Sequence, residues 1–197
     1  MPSRWRKAFN GEGSMSEKLA FLCEGANDVL VVKSIVRQLV PDRVITKVRQ
    51  LGGVNRLLKE ADRHARILNA KGYFVIAIYD EADDKDENLI LESESPGLIF
   101  VPARRKIEAW LLADDDAVKR ASGLAFRGPF PTDRIEDPKA VLLHHFYRAV
   151  RERKRSYIFK ERDFFKAILL NWDLERARRK NISLNVLYES INRKRRA

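Results

Sequence analysis

Two apolar runs, each closed by an acid, constrain this chain more than any other feature. Lys18 to Cys23 (KLAFLC) ends in Glu24-Gly25 and opens into a segment with Asp28 in its first turn. Tyr73 to Tyr79 (YFVIAIY), the most apolar stretch, ends in Asp80. Near-continuous apolar runs of this length are typical of strands covered on both faces, as in parallel sheets. As neighbours in such a sheet, the two runs bring their terminal carboxylates to one end of it. Open parallel sheets gather their functional groups beyond the carboxyl ends of the strands.

The segments between and after the runs fit that frame. From Asn27 or Asp28 to Val40, the residues Val29, Val32, Val36 and Leu39 recur at helical spacing, and Pro41 stops the helix. Arg43 to Arg49 alternates and is β-branched, which predicts a strand, and Gly52-Gly53 makes the next turn. Val54 to Ala70 predicts a long helix, Leu98 to Val101 a fourth strand and Lys106 to Asp114 a helix. Asp80 to Gly97 reads as a polar, acidic loop. The order predicts an α/β fold, a mostly parallel sheet with helices on both faces. Beyond about residue 117 the chain reads as helical: Pro138–Arg153, Asp163–Leu170, Asp173–Arg179 and Leu184–Asn192, after a Gly/Pro-punctuated connection. The expected organisation is a flexible N-terminal tail (1–16), an α/β core (17–117) and a basic helical extension packed on it (118–197). Met15 offers a second start, so whether residues 1–14 are native is left open.

Charge bears on partners. The net charge is +11 over 197 residues, and residues from Arg148 onward carry +10 of it. Such an excess favours polyanions, because phosphate contacts release condensed counterions. The bland alternative is a soluble basic protein. No apolar stretch reaches the length of a membrane span and no secretory h-region is present, so a cytoplasmic protein is expected, without a membrane partner. The single cysteine, Cys23, excludes an internal disulfide and a cysteine-built zinc site, and its place inside a strand predicts a buried, inert thiol. Three scattered histidines do not make a histidine cage.

The candidate chemistry lies in the carboxylates. Hard cations such as magnesium take oxygen ligands and keep waters for substrate phosphates, so two or three carboxylates suffice. Glu24 and Asp80 are the first candidates. Asp83 and Asp84 follow Asp80 closely, and Glu108 follows the fourth strand. The alternatives are a helix-start acid for Glu24, a solvated acidic loop for Asp83 and Asp84, and an exposed helix face for Glu108. Asp114 to Asp116 read as a helix end and the N-cap of a following turn. Lys106, Arg104 and Arg105 lie just before Glu108 and are candidates to neutralise a phosphate, with plain surface charge as the alternative. Arg153, Lys154 and Arg155 are candidate contacts to a flanking nucleic-acid strand. Gly25 permits a close backbone approach or a positive φ at the first turn. No Walker-type or GxGxxG loop points to a nucleotide cofactor.

The strand-end Glu24-Gly25 before a helix, with Asp80 ending the central strand, resembles a Toprim catalytic domain, as found in topoisomerases, primases, small maturation nucleases and the overcoming-lysogenization-defect (OLD) nucleases. RKIEAWLLAD (Arg105 to Asp114 within it), EDPKAVL (Glu136–Leu142) and DLERARRKNISLNVL (Asp173–Leu187) resemble a family of Toprim-like proteins often called DUF4276. The resemblance runs from about Lys18 to Ile191. It implies a magnesium- or manganese-dependent nuclease or related phosphodiester enzyme acting on DNA or RNA. Glu24 would match the strand-one glutamate, Asp80 the first of a paired-aspartate motif, and Glu108 the glutamate of IEAW, with Lys106 or a nearby Arg stabilising the transition state. The second aspartate is expected at 82, where this chain has Ala82. Asp83 or Asp84 would then reach the ion through a local shift, or the domain is a degenerate nucleic-acid-binding or regulatory module. Analogy with OLD-type systems adds a further reading, a component of phage defence working beside an ATPase. Oligomeric state is left open.

Overall fold

The computed structural model describes residues 18–81, 95–152 and 160–196. Four parallel strands form one sheet in the order β2-β1-β3-β4. They are β1 (Lys18–Cys23), β2 (Ile45–Gln50), β3 (Tyr73–Glu81) and β4 (Leu98–Arg104). The two apolar runs are therefore neighbours, with Lys18 opposite Tyr73 and Cys23 opposite Ile78. Helix α1 (Ala26–Leu39) follows β1, and α2 (Val54–Asn69) follows β2. After β4 come α3 (Glu108–Leu112), α4 (Asp115–Ser122), a 3-10 turn (Thr132–Arg134), α5 (Pro138–Arg151), α6 (Glu161–Asn171), α7 (Leu174–Lys180) and α8 (Ile182–Arg196).

Side-chain alternation divides the sheet into two buried faces. Leu19, Phe21, Phe74, Ile76, Ile78 and Val101 face the larger cluster, with α1 and the helices after β4. Ala20, Leu22, Val75 and Ala77 face a smaller cluster with Leu57, Ala61 and Ala65 of α2. Burial on both faces explains why β1 and β3 read as unbroken apolar runs. β2 is a sheet edge and alternates between exposed and half-buried positions.

Two expectations are corrected. The loop expected from Asp80 begins later: β3 runs through Glu81, because Asp80 and Glu81 pair with Ala103 and Arg104 of a β4 that is itself three residues longer than expected. The helix expected over Lys106–Asp114 is shorter, Glu108–Leu112, and Asp114 is the N-cap expected of it. Asp114 turns extended and its side chain accepts from Ala117 N–H, capping α4 and ending α3.

The helical half is held to the sheet by specific polar pins within the apolar cluster. Buried Trp110 donates its indole N–H to Ser183 Oγ at 2.9 Å. Ser183 Oγ also accepts from Arg104 N–H and donates to Asn181 Oδ1. One hydroxyl thus joins β4, α3 and the start of α8. We expect Ser183→Ala to destabilise the protein by about 2 kcal/mol, because it orphans a buried indole donor. Urea denaturation with an unchanged m value measures it, and a loss under about 0.5 kcal/mol would assign the tie to packing alone. At the other end, Gln38 of α1 donates to Trp172 O and accepts from Leu174 N–H, fixing the α6–α7 junction against α1. Among the described residues no helix is long and apolar enough to cross a membrane.

Candidate metal and phosphate site

Glu24 leaves β1 at its carboxyl end, and its backbone is clamped there. Its carbonyl accepts from Gly52 N–H at 2.9 Å and Gly53 N–H at 3.0 Å, and Cys23 O accepts from Leu51 N–H. The turn after β2 therefore folds over Glu24. Gly52 and Gly53 have φ of +87° and +107°, conformations a Cβ disfavours, which accounts for the glycine pair. Gly25 differs from expectation. Its φ is −125°, and a Cβ there would meet Asp28 only at an ordinary 3.8 Å, so neither positive φ nor close approach requires this glycine.

A chain of hydrogen bonds then crosses the strand ends. Glu24 Oε1 accepts from Asp80 N–H at 2.6 Å. Asp80 Oδ1 accepts from Ile107 N–H at 2.9 Å. Ile107 stands immediately before Glu108, the first residue of α3. Arg105, between β4 and α3, has φ +67°, a left-handed bend costing a β-carbon residue about 1 kcal/mol. That bend precedes the residues that return to Asp80, so local strain sits beside the candidate site.

Glu24, Asp28, Asp80 and Glu108 line one cleft of about 530 Å³ together with Lys106 and Lys139. Asp28 and Glu108 are buried, and Glu24 and Asp80 half-buried. Four carboxyls against two ammonium groups leave the cleft short of positive charge. All four acids are pushed upward, with burial as the main cause. Asp80 is pushed up to about 8, first by burial and then by the charges of Asp28, Glu108 and Glu24, against the lowering bond from Ile107. For Glu24 the bond from Asp80 N–H opposes burial, and for Glu108 its own backbone bond and Lys139 do so. Cys23 lies next to this cluster. Burial, with Asp28 and Glu24 adding, holds its thiol firmly protonated, as expected of an inert core residue.

Lys106 Nζ donates to Asp137 Oδ1 at 3.1 Å, a pair with both partners partly exposed. Asp137 also accepts from Ala140 N–H and so caps α5, which places the positive end of that helix next to the cleft. Lys139 is the second residue of α5.

Of the residues singled out in the sequence, Glu24, Asp80, Lys106 and Glu108 come together here. Arg104 and Arg105 do not line the cleft, and Arg104 Nε lies 3.7 Å from Glu81 Oε2 at the end of the β3–β4 pair. Asp83, Asp84, Arg153, Lys154 and Arg155 fall outside the described residues. Two cleft residues were missed. Asp28 sits one helical turn after Glu24, a spacing that could have identified it. It reads equally as a helix-start acid, and its carboxylate does accept from Gly25 N–H at 2.8 Å. Lys139 lies within the EDPKAVL stretch, but its place at the strand ends comes only from the packing of α5.

The donor set suits a hard divalent cation, being carboxylate oxygen without thiolate or imidazole. Among the described residues no three His, Cys, Asp or Glu side chains are arranged as a ready cage. Magnesium does not require one, since it is commonly held by one or two carboxylates, waters and substrate phosphate.

No family model matches this chain. No curated protein matches it either. Among solved structures, the C-terminal region of the Xanthomonas campestris pv. campestris OLD protein aligns over 94% of this chain and 100% of that one, with a TM-score of 0.44 and 15% identity. A likeness this distant assigns neither an activity nor a ligand to this chain.

Proposed function

We propose that this protein is a magnesium- or manganese-dependent nuclease, or a related phosphodiester enzyme, acting on DNA or RNA. The observation that carries the reading is the convergence of four shielded carboxyls and two lysines beyond the carboxyl ends of parallel strands. Glu24 and Asp80 are the residues that would hold the ion, with Asp28 and Glu108 beside them. Asp83 and Asp84 remain further candidate ligands. When bound, such an ion supplies charge neutralisation and polarises a phosphoryl oxygen. Lys106 and Lys139 face the negative charge that develops on the phosphate. Glu108, buried and shifted upward, is the group to carry a proton to the leaving oxygen. Arg104, Arg105 and the Arg153–Arg155 cluster hold the flanking strand, and the analogy with OLD-type systems adds an ATPase partner in phage defence, which copurification tests.

Glu24→Gln is the direct test of the site. A glutamine Oε1 still accepts from Asp80 N–H, so the strand-end geometry is retained while the charge is lost. We expect the wild type to cleave short DNA or RNA with magnesium or manganese and not with EDTA. The variant should lose at least about a hundredfold in rate and still bind the strand. Equal cleavage by both proteins would sink the site. Salt-dependent binding without cleavage under any ion would favour a degenerate binding module, the reading that Ala82 supports.

A further inference from the structure

A second pocket of about 260 Å³ opens beside the carboxylate cleft, and Ala26, Asn27, Glu108 and Lys139 line both. Its other walls are apolar: Leu142 and Leu143 of α5, and Phe164 and Phe165 of α6. Phe164 is held from behind by Phe146, with ring centroids 5.6 Å apart. The rim is polar. Arg162 stands there with Glu161, whose carboxylate accepts from Tyr147 O–H at 2.7 Å and so ties α6 to α5 at this edge.

We infer that this side pocket receives one nucleobase of the substrate, next to the scissile phosphate, and that the enzyme therefore acts on single strands or unpaired nucleotides. The inference rests on the nuclease reading above. A volume of about 260 Å³ is below the usual range for a drug-sized ligand, roughly 300 Å³ and above, and suits a single ring system. The sugar and phosphate then lie in the adjoining cleft. A base has two apolar faces and a hydrogen-bonding edge, and the pocket matches that division. Half-buried Leu143 and the pocket-facing edges of Leu142, Phe164 and Phe165 form an apolar floor for one face, while Asn27 offers a donor and an acceptor to the edge. Arg162 and Lys139 bring positive charge to where the backbone enters and leaves. A paired, stacked base has neither its faces nor its edge available, so a duplex must first open or flip a nucleotide.

The test uses the full-length protein and single-stranded oligonucleotides carrying 2-aminopurine at successive positions, titrated in EDTA so that nothing is cleaved. One position should change fluorescence on binding, and an abasic site there should weaken binding at least tenfold. Leu143→Trp, which fills the pocket from a half-buried position, should abolish the fluorescence change, and Asn27→Ala should alter base preference. If Leu143→Trp fails to fold, the abasic series and Asn27→Ala still decide. With magnesium, single strands should be cleaved at least tenfold faster than duplex. Cleavage with no position-dependent signal would leave the nuclease reading standing and overturn the base pocket. A position-dependent signal lost in Leu143→Trp, with no cleavage under any ion, would keep the base pocket and overturn the nuclease reading. Equal affinity for intact and abasic strands, or no binding at all, would overturn the pocket.

Discussion

Asp80→Asn should make the protein more stable in EDTA while abolishing its metal-dependent chemistry. The two effects share one cause. Asp80 is an acid whose folded-state pKa stands at about 8, above its ordinary value, because it is buried among Asp28, Glu108 and Glu24. Between an unfolded pKa near 4 and a folded pKa near 8, the folded chain binds more protons than the unfolded one. Stability of the wild type therefore falls as pH rises through that window, and the penalty is complete above it. Asparagine has no such slope, and its Oδ1 keeps the bond from Ile107 N–H. Discounted for coupling and partial solvation, the gain at pH 8 should be about 2 kcal/mol, or roughly 4–8 °C in melting temperature. Near pH 4 it should vanish. Melting curves of both proteins from pH 4 to 9 in EDTA measure this, and a variant less stable at every pH would refute the charge argument. The functional loss should be at least about a hundredfold in cleavage rate. Manganese calorimetry at pH 7 should show proton release on binding to the wild type and none from position 80 in the variant.

The residues explain why the sequence revealed some of this and hid the rest. β1 and β3 were legible because burial on both faces leaves no polar position to blur the pattern. Glu24 and Asp80 were legible with them, since a strand end fixes where its next residue stands. Asp28 was placed only in the first turn of a helix, because an acid there is also favoured by the helix dipole and so does not by itself mark the cleft. Lys139 needs α5 to pack beside the strand ends, a relation between residues 24, 80 and 139 that no local spacing encodes. The end of α3 at the aspartates was legible, because such a run reads as a helix end and an N-cap. What stayed hidden is that the Asp114 carboxylate also bonds Asp173 and Arg176, far along the chain.

That distant partner makes Asp114→Ala the substitution with the largest expected cost in stability. Asp114 is 1% exposed and carries a charge. Its Oδ1 accepts from Ala117 N–H and Arg176 Nε–H, and its Oδ2 accepts from Asp173 N–H at 2.8 Å and from an Arg176 terminal N–H at 2.9 Å. One carboxylate thus caps α4, anchors the start of α7 and grips Arg176 with both oxygens. Alanine leaves two backbone donors without that acceptor, and the arginine without its buried partner. The expected loss is about 3–5 kcal/mol, enough to shift the melting temperature by roughly 6–20 °C. Asparagine should not rescue it, because its amide nitrogen would face Asp173 N–H or Arg176, donor against donor. Arg176→Ala should cost less, about 1–2 kcal/mol, because that side chain is 44% exposed and water replaces part of what it loses. The order alanine at 114, then asparagine at 114, then alanine at 176 is the signature to look for in urea unfolding. Near-equal costs at 114 and 176 would mean that the ion pair matters and the backbone anchoring does not. A loss below about 1 kcal/mol for Asp114→Ala would mean that apolar packing alone holds α7 against α4.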